Sequence, residues 1–498
     1  MFFTIKYLQK TVCAFIIVKY AKLQQEYDMT KKIIVFISLL IACVCLLAGC
    51  ASESFKFDAL KVESMSGDLE SNGGVSVSYK GYTYFINGNV DTYTGDNTFG
   101  KVTYGAICRV KTALLAQGEF AGFDFGSEEY KSAAEGKIEI LAPKAVFTAT
   151  TTASDANGIY IFDDRLYYFT PSTTTDKNGK VQNAYIDVMS VKLDGTDTKR
   201  LYTVTGNNYQ TLLAKNGNDV CLAYVADSKL YNVVLTASKP AAKEICDNVT
   251  FTYAALNEGM MVITRKVVEK DENQATETTL AYNVICAYKL GADSVTEVIT
   301  GKQGEGQDVS YGASLSVSNV YDGYIYFSVA DADKLGRSGL YRISVDAKDA
   351  SFATSGESYL ITRENLLSSG GIAFGNKIAF YNSSEKYVCL YDIAAKTTEK
   401  VMYASSAPTL VAVKNGKLFY VTDGLNYVNL GEGEQIKGVK ISSKTNGVNW
   451  ATYDIYGSYV LFFGSTENSE TYLNCAKIVD SGEDVKESFI GIYTKKAE

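Results

Sequence analysis

Histidine is absent from this chain of 498 residues. Histidine is the usual general base at neutral pH and the commonest metal ligand, so its absence excludes Ser-His and Cys-His nucleophile arrangements. Any catalysis would fall to carboxylate, Tyr, Lys or Cys side chains. Basic residues are also outnumbered, since 48 Lys and Arg stand against 56 Asp and Glu, a net charge of −8. A nucleic-acid partner needs clustered cations, and the composition therefore predicts none.

Proline is scarce, with four residues, whereas glycine is plentiful, with 41. Turns must therefore rely on Gly and Asn, and dipeptides such as Asp322-Gly323 and Asn415-Gly416 separate short aromatic-rich runs. No stretch after residue 50 has the apolar stripe of an amphipathic helix. Hydrophobic residues make up 46% and charged residues 21%, a globular composition that excludes disorder of the chain as a whole. The pattern predicts an all-β protein.

The clearest motif lies near the start of the chain. Lys31 and Lys32 precede an apolar run over residues 33–48, which ends in Gly49-Cys50. The run is shorter than the roughly 20 residues that a membrane-spanning helix needs. It resembles a bacterial lipoprotein signal peptide with its lipobox, which implies cleavage before Cys50 and acylation of that thiol. A plain N-terminal anchor helix is the alternative. The prediction is an extracytoplasmic protein that is lipid-anchored to the bacterial cell membrane.

The start site affects how the chain is divided. Met29 opens a signal peptide of normal proportions, whereas Met1 adds a second apolar stretch ahead of it. We expect residues 1–28 to be an upstream mis-start, although a double anchor is the alternative if they are translated. Residues 29–49 are then the signal peptide, 50–74 a lipidated tether and 75–498 the folded domain. Phe55 to Val62 could supply a strand to the last blade. Such an acidic domain relies on its acyl chains for attachment.

Six cysteines lie beyond the lipid site. They are Cys108, Cys221, Cys246, Cys286, Cys389 and Cys475. An exported protein could pair them in disulfides, but most occupy equivalent places in successive repeats and should point into separate blades. We therefore favour buried free thiols over disulfides. No Cys-x-x-Cys spacing occurs, and the acidic loops carry too few carboxylates for calcium, so neither a metal nor a cofactor is expected.

A repeated unit runs through residues 75–498. It combines a Gly- or Asn-containing turn, an aromatic strand, a polar loop and a second strand. Its second strands are marked by Cys108, Ser190, Asn232, Cys286, Tyr341, Cys389, Gly438 and Cys475. Most of these intervals are close to the roughly 40 to 50 residues of a four-stranded propeller blade. A longer interval contains residues 113–130, which we expect to form an inserted loop or short helix.

The repeats predict a single β-propeller of about eight blades, with seven possible. Stacked β-sandwiches are the runner-up, since they also contain many short strands. A ring is preferred because no Pro/Ser linker interrupts the repeats and because closure hides exposed strand edges.

The repeat also resembles a known family. The pattern Gly-x-Ile-Tyr-Tyr/Phe followed by Leu-Tyr-Arg-Ile-x-x-Asp-Gly, clearest over residues 157–195 and 323–346, is similar to bacterial surface propellers. These are assigned to a domain of unknown function that resembles the low-density-lipoprotein-receptor-type propeller. The resemblance covers most of residues 75–495 and departs in the third, fourth and last repeats. It implies the fold and no catalytic residues.

Tyrosine is the most over-represented residue, with 37 copies. Tyrosines within strands should fill the layers between blades, whereas loop aromatics can bind a sugar or a peptide. The candidate ligand-binding residues are Tyr93, Phe99, Tyr104, Tyr209, Tyr311 and Tyr427.

These observations predict a propeller that binds a protein or a cell-envelope glycan through loops at one mouth of the ring. One alternative is a carbohydrate-active enzyme with carboxylates and Tyr at the central mouth. Another is a scaffold of an envelope complex. Adjacent carboxylates such as Asp163-Asp164 point to opposite faces of a strand, so they do not make a glycosidase pair. Paired acids in a deep pocket would favour the enzyme, and a flat aromatic face would favour binding.

Overall fold

The fold is described from a computed structural model. It describes residues 59–61, 67–89, 101–146, 158–173, 185–205, 210–255, 259–270, 279–302, 313–330, 336–368, 370–444, 453–467 and 470–494. These residues form eight antiparallel sheets, each a meander of four consecutive strands. One further short strand joins the fourth sheet from outside.

The first four sheets run from residue 76 to residue 300. Blade 1 contains β1 (Ser76–Tyr79), β2 (Tyr82–Ile86), β3 (Ile107–Lys111) and β4 (Ile138–Ala142). Blade 2 contains β5 (Tyr160–Phe162), β6 (Arg165–Pro171), β7 (Ile186–Lys192) and β8 (Lys199–Val204). Blade 3 contains β9 (Gln210–Asn216), β10 (Asp219–Ala226), β11 (Lys229–Val234) and β12 (Ala242–Cys246). Blade 4 contains β13 (Val249–Ala255), β14 (Met260–Lys270), β15 (Thr279–Lys289) and β16 (Thr296–Thr300).

The last four sheets follow the same order. Blade 5 contains β17 (Ser314–Tyr321), β18 (Tyr324–Ala330), β19 (Gly339–Ser344) and β21 (Leu360–Thr362). Between its last two strands, β20 (Ala350–Ser351) pairs in parallel with β16 of blade 4. Blade 6 contains β22 (Ile372–Phe374), β23 (Lys377–Asn382), β24 (Tyr387–Asp392) and β25 (Thr397–Tyr403). Blade 7 contains β26 (Thr409–Lys414), β27 (Lys417–Val421), β28 (Leu425–Asn429) and β29 (Val439–Ser442). Blade 8 contains β30 (Tyr453–Ile455), β31 (Tyr459–Ser465), β32 (Thr471–Lys477) and β33 (Glu487–Ile490).

Local turn chemistry explains the hairpins between first and second strands. Asp322 and Gly323 both have positive φ, at 50° and 71°, and Asn415 and Gly416 do so at 52° and 72°. This is the backbone of a two-residue type I′ turn, whose twist matches that of the strands it joins. Since every blade is the same meander, these turns lie together on one face of the ring, which we call the first-turn face.

The hydrophobic cores lie between blades and not within them. One core joins Val262 and Ile285 of blade 4 to Leu315 and Phe327 of blade 5, and equivalent cores link the other neighbouring blades. A further core contains residues of blades 8, 1 and 2 together. The sheets therefore close into a ring. The prediction of a single eight-bladed β-propeller is confirmed, and seven blades and stacked sandwiches are wrong.

Side chains, and not an exchanged strand, join the first blade to the last. The carboxylate of Asp454 on β30 accepts hydrogen bonds from the Ser76 backbone N–H and from the Ser76 hydroxyl, both at 2.8 Å. One strand along, the hydroxyls of Thr83 and Tyr459 lie 2.9 Å apart. Each of the two blades takes all four of its strands from its own part of the chain.

An insertion between β3 and β4 strengthens this closure. Residues 112–134, here called the helical latch, contain α1 (Thr112–Gln117) and α2 (Glu128–Ala134). The Tyr130 hydroxyl lies 2.9 Å from the Gly491 carbonyl oxygen and 3.0 Å from the Gly491 nitrogen. The Phe125 ring packs against three aromatic rings of the C-terminal region, those of Tyr472, Phe489 and Tyr493. The expected insertion is therefore a helical element that packs on blade 8.

All six cysteines after Cys50 are free in this structure, as predicted, and all of them except Cys246 are buried. Cys221 and Cys286 lie in the core between blades 3 and 4, and the partly buried Cys246 packs against that core. Of the four cysteines at equivalent places in the repeats, Cys108 and Cys475 share a core, contrary to the expectation, because blades 1 and 8 are neighbours. Burial raises the pKa of Cys286 to about 12, which keeps the thiol protonated.

Residues 59–61, just ahead of blade 1, lie against the ring. The Leu60 backbone N–H donates to the Asp194 carbonyl at 2.8 Å, and the buried Arg109 side chain donates to the Lys61 carbonyl at 2.8 Å. This part of Phe55 to Val62 therefore contacts the junction of blades 1 and 2 and forms no strand of blade 8. In the described part of the chain, no helix is long and apolar enough to cross a membrane.

Candidate functional site

Most of the predicted site residues lie outside the described residues. These are Cys50, Tyr93, Phe99, Tyr209 and Tyr311. Their roles in lipidation and ligand binding therefore stay predictions. Only Tyr104 and Tyr427 have a described position.

Tyr104 lies in a loop, as predicted, but its contacts are with the ring closure. Its hydroxyl lies 2.9 Å from the Thr471 carbonyl oxygen and 3.0 Å from the Thr471 nitrogen. Its ring meets the Tyr472 ring edge to face, with the centroids 5.0 Å apart. Burial raises the pKa of Tyr104 to about 12. The side chain thus connects blade 1 to blade 8, and its hydroxyl is engaged there.

Tyr427 lies on a strand, so its predicted loop position is wrong. It belongs to β28 and only 2% of it is exposed. Its hydroxyl donates to the Val479 carbonyl at 3.1 Å, and the Lys417 amine lies 4.1 Å from the ring centroid. The turn before it is short, ending at Gly424, and the strand begins at Leu425. Its ring is therefore packed inside the protein and not presented to a ligand.

Two other tyrosines provide an exposed aromatic surface. Tyr321 ends β17 and Tyr324 begins β18, and the two are direct cross-strand partners beside the Asp322-Gly323 turn. Their exposed fractions are 43% and 37%, against nearly zero for most strand tyrosines of the ring. They lie at the tip of the hairpin, where no neighbouring blade covers them. Tyrosines on strands were expected in the core, and the Asp322-Gly323 turn between Tyr321 and Tyr324 is the sequence signal that these two lie at the end of a hairpin.

An arginine and an asparagine complete this surface. The Arg342 guanidinium on β19 lies 4.5 Å from the centroid of the Tyr324 ring. Arg342 also donates from Nη1 to Oδ1 of Asn376, in the first turn of blade 6, at 2.9 Å. We call Tyr321, Tyr324, Arg342 and Asn376 the tyrosine–arginine patch. It lies over the junction of blades 5 and 6 on the first-turn face.

In the described part of the chain, no carboxylate forms an ion pair with Arg342. Five of the seven arginines form an ion pair with an Asp or Glu that the structure describes. Arg342 forms none with the residues that the structure describes, and its hydrogen-bond partner is a neutral amide. The acidic side chain on the same hairpin, Asp322, is exposed at the turn. An arginine held against a ring in this way is already oriented to bind an anion.

Hydroxyl groups lie along the same blade. On the inner strand β17, Ser314, Ser316 and Ser318 are exposed, whereas Leu315 and Val317 are buried against blade 4. This period of two is typical of a strand with one covered face. The exposed serines follow β17 away from Tyr321. Blade 5 therefore carries aromatic, cationic and hydroxyl groups on its solvent-facing positions.

Asp163 and Asp164, which were considered for catalysis, form the turn between β5 and β6 and do not lie on a strand, and each pairs with a lysine of a different blade. Asp164 accepts from Lys80 of blade 1 at 2.7 Å, and Asp163 accepts from Lys215 of blade 3 at 2.6 Å. The Lys80 hydrogen bond lowers the pKa of Asp164. In the described residues, no group of acidic and thiol side chains is arranged to hold a metal ion.

The fold and the patch together define an eight-bladed β-propeller with an exposed aromatic and cationic surface on its first-turn face. No protein-family model matches the chain, and no curated protein matches its sequence.

Several solved structures are similar in fold. The acylaminoacyl peptidase of Pyrococcus horikoshii is 10% identical with a TM-score of 0.37, over 66% of this chain and 51% of that one. The apo AztD structure from Citrobacter koseri is 10% identical with a TM-score of 0.36, over 79% of this chain and 91% of that one. The dihydro-heme d1 dehydrogenase NirN, in complex with DHE, is 11% identical with a TM-score of 0.42, over 88% and 82%.

This chain spans about half the length of the peptidase. At these identities and TM-scores, the similarities carry no argument about activity, substrate or partner.

Proposed function

We propose that the protein is an extracytoplasmic binding propeller, acylated at Cys50 and lipid-anchored to the bacterial cell membrane, which holds a protein or an envelope glycan. The lipobox-like sequence ending at Cys50 supports the anchor. The resemblance of the repeats to bacterial surface propellers agrees with this location. Residues 75–498 are then the part of the chain that meets the partner.

One observation carries the binding function: the tyrosine–arginine patch is exposed on a ring whose other strand tyrosines are mostly buried. Exposed tyrosines offer a large contact area at a low entropy cost, and each adds a hydroxyl. The patch is a surface and not a deep pocket, which favours retention of a partner over turnover of a substrate.

The test is a glycan array followed by capture from envelope extract, with the full chain immobilised. The double variant Tyr321→Ala/Tyr324→Ala should lose the retained partner. Tyr403→Ala is the matched control, because Tyr403 is exposed to 48% and lies on the outer strand of blade 6. It should retain the partner as the unmodified chain does.

Equal retention by the double variant and the control would exclude the patch as the binding site. Chemical conversion of a retained glycan would instead support the carbohydrate-active enzyme. Recovery of a stable multi-subunit complex that does not depend on the patch would support the scaffold.

A further inference from the structure

We infer that the tyrosine–arginine patch binds an acidic saccharide, with a sugar carboxylate on Arg342 and pyranose rings against Tyr321 and Tyr324. This inference rests on the proposed binding function and names the chemical class of the partner. It rests on three observations: no described carboxylate pairs with Arg342, the rings of Tyr321 and Tyr324 are exposed, and β18 and β19 are paired on both sides.

The arginine determines the charge of the ligand. A guanidinium has five N–H donors in a rigid fork that fits a carboxylate in a bidentate way. One donor of Arg342 is used by Asn376 at 2.9 Å, and the Tyr324 ring lies beside the guanidinium at 4.5 Å. These contacts hold the side chain in place, so less conformational entropy is lost on binding. The net charge of the chain, −8, opposes an anionic ligand, so the attraction has to come from Arg342 itself, which no described carboxylate neutralises.

The two tyrosines favour a sugar. Both rings are exposed beside one turn, and neither hydroxyl has a hydrogen-bond partner in the described part of the chain. A pyranose has an apolar C–H face that packs on an aromatic ring, while its hydroxyls bond to polar groups at the rim. Tyr321, Tyr324 and Asn376 supply both kinds of contact within one patch.

An acidic peptide fits the same surface less well. Extended peptides usually bind by adding a strand to a free sheet edge. Tyr324 and Arg342 lie on β18 and β19, and both of these strands are already paired on their two sides. A peptide over these two residues would find side chains only, and the one unpaired edge of a described strand near the patch is that of β17, the inner strand of the blade. We therefore commit to the saccharide, and peptide binding becomes an outcome of the test.

The experiment is isothermal titration of the full chain with an oligoglucuronate and with its methyl ester, which keeps the sugar rings and removes the charge. The acid should bind, and the ester should bind at least about tenfold more weakly, as expected for loss of a charge-assisted pair. Arg342→Gln should weaken binding of the acid by a similar factor and should leave binding of the ester unchanged. Arg342→Lys should recover only part of the affinity because it lacks the fork.

Tyr321→Ala provides a second variant should Arg342→Gln fail to fold, and it should weaken binding of the acid and of the ester alike. Tyr403→Ala is the control and should leave both titrations unchanged. Equal affinity for the acid and the ester, or full affinity in Arg342→Gln, would overturn the inference.

The outcomes separate this inference from the proposed function. A neutral glycan or an acidic peptide that depends on the patch would overturn the acidic saccharide and leave the binding propeller in place. Loss of all dependence on Tyr321 and Tyr324 would overturn both.

Discussion

At the scale of single residues, Asp454 has the most consequential environment in the ring. It is 6% exposed, and burial raises the pKa of its carboxyl from 3.8 to about 7. The Ser76 hydrogen bonds and the charge of Lys414 oppose that rise but are outweighed. The two other titratable groups that face it, Tyr456 and Tyr459, are themselves shifted towards the neutral form. Closure of the ring therefore favours a protonated Asp454.

This raised pKa sets the sign of a pH effect. The folded chain holds the proton up to about pH 7, whereas the unfolded chain releases it near pH 4. The stability that this group contributes is thus fully present below pH 4 and is lost as the pH rises towards 7. Asp454→Asn mimics the protonated form and should raise the free energy of unfolding at pH 8 by about 1–3 kcal/mol.

Urea unfolding of the Asn variant and the unmodified chain at pH 5 and pH 8 measures this effect as a difference between the two proteins. The difference in the free energy of unfolding between the two proteins should be smaller at pH 5 than at pH 8. Asp163→Asn is the control, because Asp163 is exposed and paired only with Lys215. A variant that is less stable than the unmodified chain at pH 8 would contradict the argument.

At the scale of elements, the helical latch holds the last strands against blade 1. The Tyr130 hydroxyl donates to the C=O of Gly491 and accepts from its N–H. The Tyr130 side chain is 1% exposed. Tyr130→Phe removes this oxygen and leaves two buried backbone groups without a partner. We expect a loss of about 1–3 kcal/mol in the free energy of unfolding.

Hydrogen exchange provides a local measurement for Tyr130→Phe. Amides of residues 487–494 should exchange faster than in the unmodified chain, whereas those of blade 4 should not change, since no core joins blade 4 to the latch. Tyr403→Phe, at an exposed site, should alter neither stability nor exchange. Unchanged protection at 487–494 would show that the latch does not hold the last strands.

Elements whose signal is local could be predicted from the sequence. The hairpins at Asp322-Gly323 and Asn415-Gly416 follow from residues that tolerate positive φ, and eight such repeats gave the blade count. Other features depend on which blades become neighbours. These are the pairing of β20 with blade 4 and the core shared by Cys221, Cys246 and Cys286. Turn residues and periodicity do not encode such long-range contacts.

The same limit applies to predicting the candidate site from the sequence. Tyr427 follows a turn in the sequence and was expected on a loop, yet β28 places it in a core. Tyr321 and Tyr324 belong to a clear repeat and were expected in a core. They lie instead at the tip of the β17–β18 hairpin, where both are exposed. Exposure here depends on where the neighbouring blade stops, which the sequence of one blade does not reveal.

At the scale of the whole molecule, the ring is closed by side chains and by the latch. A strand shared between the first and last blades would be another way to close a ring, but here each of these two blades has four consecutive strands of its own. Since every core among the described residues joins two or three blades, no blade can bury its apolar surface alone. The contacts of Asp454 and Tyr130 therefore contribute to the stability of the entire ring.

The proposed membrane attachment also concerns the whole molecule. The chain is acidic, so anionic lipid head groups would repel it, and attachment should depend on acyl chains at Cys50. Cells that express the full chain and are fed an alkyne fatty acid should label the protein. Cys50→Ala should abolish the label, whereas Cys246→Ser should keep it, because Cys246 lies on β12 of the ring and outside the lipobox-like sequence.

Fatty-acid labelling is a better test of acylation at Cys50 than membrane fractionation. The apolar run over residues 33–48 could hold an uncleaved chain at the membrane without any acyl group. Mass spectrometry of the labelled protein should find a modified N-terminus at Cys50 and no residues before it. An unlabelled mature chain, or a label that survives Cys50→Ala, would rule out this anchor, and the ring would then have to reach its partner by another attachment.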